Sequence, residues 1–215
     1  MQLKERARVK RGVRRAVYER DRIYQILDDN LVCHVGFVDA GEARVIPTAF
    51  LRQEDTVILH GNRQNGMMNA LLDGQTACIS VLQLDGIVLA RSGFHSSVNY
   101  RSVVLFGKAE PVGDDDKRPL LNAFLDKLAV GRAADIRPHS AQELDATLVV
   151  RIPIDEASAK VRSGPPVDDE ADYDLDIWSG VLALRTSSEI QPCPRLANEA
   201  KTPAYLATPR LWPRQ

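Results

Sequence analysis

Two pieces of sequence decide the fold: Val57-Ile58-Leu59-His60-Gly61-Asn62-Arg63-Gln64-Asn65-Gly66-Met67-Met68, and Thr76-Ala77-Cys78-Ile79-Ser80-Val81-Leu82-Gln83-Leu84-Asp85-Gly86-Ile87-Val88-Leu89-Ala90-Arg91. The first reads as strand, polar loop and helix start. That order is anion-binding geometry, because unpaired N–H groups at a helix N-terminus point outward and carry partial positive charge. The second reads as two strands, 76–84 and 87–91, joined by Asp85-Gly86. An Asp-Gly pair between apolar runs is a strong hairpin signal, since glycine reaches positive φ without steric penalty. A further strand is expected over 100–110.

Working outward, residues 21–29 place Ile23, Ile26 and Leu27 on one helical face. Residues 31–37 read as a strand, 39–41 as a turn and 43–51 as a second strand. Pro47 requires an edge or a bulge in that strand, because proline cannot donate to the ladder. Downstream, Asp114, Asp115 and Asp116 offer N-capping carboxylates to a helix carrying Leu120, Leu121, Phe124, Leu125 and Leu128 on one side, with Pro119 in its first turn. Residues 130–140 read as loop, 147–154 as a buried strand, 159–161 as another, and 178–184 as a return to strand. Six of the nine residues over 168–176 are acidic. Without a His or Cys and without EF-hand spacing they read as a solvated loop rather than a metal site. From Thr186 onward five prolines and weak periodicity predict an extended tail. There is no internal repeat. The chain divides into a basic arm (1–17), one domain (18–185) and a proline-rich tail (186–215).

At 215 residues, with 44% hydrophobic and 27% charged side chains, the chain suits one globular domain with a sizeable core. A net charge of -1 gives no global electrostatic case for nucleic acid or membrane as partner. No segment approaches the roughly 20 apolar residues that a span requires. The first 17 residues hold seven basic side chains against one acid, and read as an arm laid over the domain or its dimer mate. Cys33, Cys78 and Cys193 have no metal-ligand spacing, and a reducing cytoplasm is the natural setting.

Several of these motifs together resemble a known family. Leu84-Asp85-Gly86-Ile87-Val88-Leu89-Ala90-Arg91-Ser92, Phe94-His95, Asn99-Tyr100-Arg101-Ser102-Val103-Val104, Ile46-Pro47-Thr48, Leu59-His60-Gly61 and Trp178-Ser179-Gly180-Val181 are similar to the flavin-nucleotide-binding branch of the pyridoxamine 5'-phosphate oxidase-like superfamily, close to the 5-nitroimidazole-resistance proteins. The resemblance implies a mainly β fold with flanking helices, a six-stranded split β-barrel, dimerised with FMN at the subunit interface. It also implies an oxidoreductase acting on a small organic substrate, with NAD(P)H or oxygen as the second partner. On the same resemblance, the cofactor-binding set is Ile46, Pro47, Thr48, His60, Gly61, Arg63, Asn65, Gly66, Asn99, Tyr100, Arg101, Ser102 and Trp178. The histidines near the open flavin face are His60 and His95, the catalytic candidates. His34, alternating with apolar neighbours, reads as a hydrogen-bonded structural residue, and His139 as surface.

The chain departs from that pattern at the phosphate loop, where relatives carry Ser and Arg and this chain has Asn65 and Gly66; Asn69 replaces a second arginine. Arg63 is the cation left to compensate. The departure favours an alternative, a split-barrel dimer that has lost FMN and binds another ligand such as haem. No Gly-x-Ser-x-Gly elbow, P-loop or Gly-x-Gly-x-x-Gly is present, and no cysteine is placed as a nucleophile. A flavin protein needs none of these, because the cofactor carries the reactive atom.

Overall fold

The computed structural model describes residues 5–195 and 201–206. Its strands are β1 (Ala16–Val17), β2 (Val32–Asp39), β3 (Glu42–Ala49), β4 (Leu51–Gln53), β5 (Thr56–Asn62), β6 (Thr76–Leu89), β7 (Ser97–Lys108), β8 (Glu110–Pro111), β9 (Thr147–Pro153), β10 (Glu156–Arg162) and β11 (Gly180–Ala183). The helices are α1 (Arg20–Asp28), α2 (Gly66–Leu72), α3 (Asp114–Leu128), α4 (Arg132–Asp135) and α5 (Ala141–Ala146). One sheet runs β1-β10-β7-β6-β2-β3 with β11 added on β6, and the other runs β4-β5-β9-β8. All pairings are antiparallel. The fold class is as expected. The strand count exceeds six: seven strands of seven residues or more are joined by short β1, β4, β8 and β11.

Alternation builds the core. On β2, Cys33, Val35 and Phe37 turn inward, and Ile79, Val81, Val103, Leu105, Ala157 and Ala159 do the same on β6, β7 and β10. They meet Val57, Leu59, Val150 and Ile152 of the second sheet and Ile23, Ile26 and Leu27 of α1. A second cluster seats α3, through Leu120, Leu121 and Phe124, on the outside of β5 and β9. Burying one such aliphatic side chain contributes roughly 1.5–3 kcal/mol.

Several local expectations need correction. Asp85-Gly86 is not a hairpin: β6 runs straight through it as one strand, with a β-bulge between Leu84 and Gly86. The reversal lies instead in residues 90–96, where Ser96 donates from its N–H and its hydroxyl to the Ser92 carbonyl at 3.2 and 2.9 Å. The strand expected over 43–51 is two, β3 and β4, broken at the buried Phe50 as the chain passes between sheets. Pro47 does sit on an edge strand, in unbroken register with His34. Pro119 is in the second turn of α3, and the N-cap is Gly113 without a side-chain bond, the three aspartates lying in the first turn. There their charge complements the helix dipole.

Residues 130–140 are not all loop. α4 forms there, and Ser140 and Glu143 make a capping box for α5. The acidic run is not wholly solvated, because Asp168 is buried against Arg91. In the tail, Ala204–Leu206 forms a 3-10 turn; 196–200 and 207–215, with Pro209 and Pro213, lie outside the described residues. No described helix is long and apolar enough to cross a membrane.

Candidate functional site

The outer face of the seven-stranded sheet carries the site. Residues of β2 and β6 that point away from the core, Val32, His34, Leu82 and Leu84, form one wall of a cavity of ≈ 650 Å³. Asn30 and Leu31, Gln83 and Asp85, Arg101, and the segment Leu184, Arg185 and Thr186 close it. Leu82 is 58% exposed, and Val32 and Leu84 are exposed as well. The cavity thus combines an apolar wall with a cluster of polar groups, the composition that small-ligand sites favour.

Arg101 is held rigidly at this cavity. Its Nε and Nη2 donate to the two carboxylate oxygens of Asp85 at 3.0 and 2.9 Å, and its Nη1 donates to Asp29 at 3.0 Å. The Asp85 hydrogen bond raises the guanidinium pKa still further. Burial raises the Asp29 carboxyl above its ordinary value although Arg101 pulls it down. The charge expected to meet a cofactor is therefore already shared between two carboxylates. Gln83 Oε1 is buried with no hydrogen-bond partner among the described residues. An acceptor left that way costs free energy unless a ligand supplies a donor.

The other expected site residues fall in separate places. Ile46, Pro47 and Thr48 lie on edge strand β3, where Pro47 pairs with the cavity residue His34. His34 itself is exposed and has no hydrogen bond among the described residues, so it is a cavity residue rather than the structural one expected. His60 is on the second sheet, its ring 4.4 Å from Phe124 of α3. Burial lowers its pKa, so the imidazole is held neutral, and its Nδ1 has no partner. His95 lies in the β6–β7 turn, with Nε2 3.3 Å from Asp169. The two histidines lie apart, His60 in a strand of the second sheet and His95 in a turn, with different neighbours.

The loop after β5 is largely engaged with its own chain. Arg63 pairs with Asp145, Nη2 to Oδ1 at 2.9 Å, and its Nε donates to the Asp145 carbonyl. The Asn65 side chain caps α2 by accepting from the Met68 N–H, 3.3 Å. Gly61 is tight, since a Cβ there would meet Met68 Cγ at 3.0 Å, whereas Gly66 opens on empty space. On β7, Asn99 is buried between the Gly164 carbonyl and Arg162, Tyr100 is half-buried, and Ser102 reaches toward the Lys160 carbonyl. Trp178 is 71% exposed, stacked beside Gly180.

Sequence reasoning missed His34, Asn30, Gln83, Asp29, Asp85, Arg185 and Thr186. One signal was present: Val32, Leu82 and Leu84 are apolar at positions whose alternation faces away from the core.

A family model described as "Pyridoxamine 5'-phosphate oxidase" matches residues 19–161. Among solved structures, the flavocytochrome Anf3 from Azotobacter vinelandii is 38% identical, with 97% of this chain and 98% of that chain covered and a TM-score of 0.92. An FAD and haem binding protein from Mycobacterium smegmatis is 35% identical, covering 90% of this chain and 96% of that one, with a TM-score of 0.86. A protein from Bacteroides thetaiotaomicron described as a 5-nitroimidazole antibiotic resistance protein is similar in fold, at 24% identity, 68% and 86% coverage and a TM-score of 0.58. No curated protein matches.

Proposed function

Because the chain belongs to the pyridoxamine 5'-phosphate oxidase family, we propose that it is a flavin-dependent oxidoreductase whose flavin ring lies in the cavity on the outer face of β2 and β6. The observation that carries this reading is Gln83 Oε1, a buried acceptor without a donor, in the wall of a cavity that also offers apolar surface from Val32, Leu82 and Leu84. A flat ring with one amide N–H edge and one hydrocarbon edge fits that donor and acceptor set. Asn30 and Gln83 address the polar edge, and Arg101, fixed by Asp29 and Asp85, frames the cavity beside them. A bound flavin supplies hydride and electron transfer, and the chain positions it and excludes competitors. Burial pushes the Cys33 thiol up to about 12, so no thiolate is on offer for covalent catalysis.

Both FMN and FAD satisfy the ring site. FAD is the better supported, because the Mycobacterium smegmatis relative at 35% identity is an FAD binding protein. A small organic molecule, with a reduced nicotinamide or oxygen, completes the reaction. The exposed apolar face that includes Leu82, Leu182 and Trp178 is the surface on which two copies would pair, since an uncovered patch of this kind on a sheet invites association.

Haem held beside the flavin is the second reading, favoured by an imidazole with unspent nitrogens at the cavity, His34. The relatives named as a flavocytochrome and as an FAD and haem binding protein point the same way.

The visible spectrum of the purified protein tests both readings. Flavin bands, with FAD or FMN identified after release, are expected, and a Soret band adds haem. A colourless protein that stays so after incubation with FMN, FAD and haem overturns both. Sedimentation at micromolar concentration is expected to give a dimer.

A further inference from the structure

The N-terminal arm builds a second concavity that the ring site does not use. Ala7 is buried, the Val9 N–H donates to the Tyr18 hydroxyl at 3.0 Å, and Ala16 and Val17 pair with β10. Gly12, at a φ of 67, makes the left-handed turn between these anchors. The arm is thereby pinned across the outer face of β7 and β10, enclosing a groove of ≈ 280 Å³. Its floor is Val104 and Phe106 with the hydroxyls of Ser102 and Ser158, and its rim is Arg6, Arg8, Lys10, Arg11 and Lys160. Among the described residues, no carboxylate lines it.

Two of those five cations are answered within the chain, Arg6 by Glu156 and Lys10 by Glu5. Arg8, Arg11 and Lys160 have no ion pair among the described residues. Close by, burial depresses the Arg162 pKa, and Arg15 adds a like-charge repulsion to it. Concentrated like charge on a pinned segment raises the free energy of the empty groove, and a multivalent anion would relieve it. The groove adjoins the ring cavity directly. Leu82, in the cavity wall, is the cross-strand partner of Ser102, which lies in the groove and is itself paired with Lys160. In contrast, the loop after β5 has committed Arg63 to Asp145 and the Asn65 side chain to its own helix.

We propose that the groove beneath the N-terminal arm seats the diphosphate of a nucleotide and, resting on the flavin reading above, that this nucleotide is the FAD whose ring occupies the neighbouring cavity. Arg8, Arg11 and Lys160 bind the phosphate oxygens, with Ser102 and Ser158 donating from their hydroxyls. The flavin would then cross the sheet from β6 to β10.

The test compares wild type with Arg8→Gln/Arg11→Gln/Lys160→Gln, and with a charge-matched control, Arg118→Gln/Arg132→Gln/Arg195→Gln. Ligands are inorganic pyrophosphate, FAD and riboflavin, the last lacking phosphate. Wild type is expected to bind pyrophosphate, to bind FAD far more tightly than riboflavin, and to lose FAD affinity as salt is raised. The groove variant is expected to lose pyrophosphate binding and to fall roughly ten- to a hundredfold in FAD affinity for each cation removed, with riboflavin affinity unchanged. The control should behave as wild type. Equal FAD affinity in groove variant and wild type overturns the proposal while leaving the flavin reading intact. If no flavin binds, the flavin reading fails, and pyrophosphate binding that depends on the three cations still establishes the phosphate seat. Absence of pyrophosphate binding to wild type at low salt overturns the seat itself.

Discussion

Replacing Arg101 with alanine removes three charge-assisted hydrogen bonds, two to Asp85 and one to Asp29. The side chains of Arg101, Asp29 and Asp85 are 15%, 18% and 28% exposed, so water replaces only part of what is lost. Removing one partner of a buried pair costs about 3–5 kcal/mol, because the other charge stays behind without compensation. Discounted for the residual exposure, the expected loss is roughly 2–4 kcal/mol. At about 2–4 °C per kcal/mol for a chain of this size, the melting temperature falls by about 4–16 °C.

The loss depends on pH. Burial already raises the Asp29 carboxyl, against the pull of Arg101, and it rises further when Arg101 is gone. A carboxyl whose folded pKa lies above its unfolded value contributes stability that is present at low pH and lost as pH rises through the folded value. The deficit of Arg101→Ala is therefore greatest near neutrality and narrows as the pH falls toward about 4. Thermal melts followed by circular dichroism, at neutral and mildly acidic pH, measure it. Adding Asp29→Asn and Asp85→Asn should restore most of the stability. A deficit that neither narrows in acid nor recovers in that triple variant refutes the reasoning. A variant that melts like wild type but loses flavin would show that Arg101 serves the ligand rather than the fold.

Gly107→Ala should destabilise by about 1–3 kcal/mol or more, because the new Cβ would meet Ile152 Cγ2 at 2.6 Å and the Pro153 carbonyl at 2.9 Å; an unchanged melting curve would contradict it. Lys127 is half-buried, its ammonium 4.0 Å from the Phe50 ring centroid, and desolvation lowers its pKa from 10.5 to about 8. The unfolded chain holds that proton more tightly, so wild-type stability should rise between pH 8 and 10.5 by up to about 3 kcal/mol, and Lys127→Met should remove that rise; parallel pH profiles would argue against it. Asn65→Ser with Gly66→Arg keeps a capping hydroxyl on α2 and adds a cation where nothing stands in the way, so it tests the loop directly. With the phosphates in the arm groove, FMN and FAD affinities stay unchanged by fluorescence titration, whereas a tenfold gain assigns the phosphates to the loop.

Much of the scaffold was legible because period-two burial leaves a mark in sequence. Cys33, Val35 and Phe37 alternate inward on β2, and Ile23, Ile26 and Leu27 share the buried face of α1. Pro47 declared an edge through the one thing proline lacks, its N–H. The site was less legible, since its partners are distant in sequence: Asp29 and Arg101 stand 72 residues apart. Thr186 opens the stretch that composition assigned to the tail, yet with Leu184 and Arg185 it closes the cavity. Apolar residues on the outer face, such as Leu82, carry the same letter as those in the core. Only the register tells them apart.

Asp85-Gly86 shows how a correct signal gives a wrong element. The pair was read for glycine's access to positive φ, but Gly86 is not among the residues with positive φ. Its value is the missing side chain: a Cβ there would lie 3.0 Å from Val181 Cγ1 and 3.2 Å from the Leu182 carbonyl, so glycine lets β11 pair with β6. The bulge beside it leaves the Asp85 carbonyl to accept from the Leu184 N–H at 3.0 Å while its carboxylate takes Arg101. β11 thus delivers Leu184, Arg185 and Thr186 to the cavity, and Asp85, with Asp29, fixes the arginine at its edge. A hairpin at this point would have ended β6 before Ile87, removed the docking strand and left the outer face of the sheet open. The dipeptide that looked like a turn builds the wall of the site.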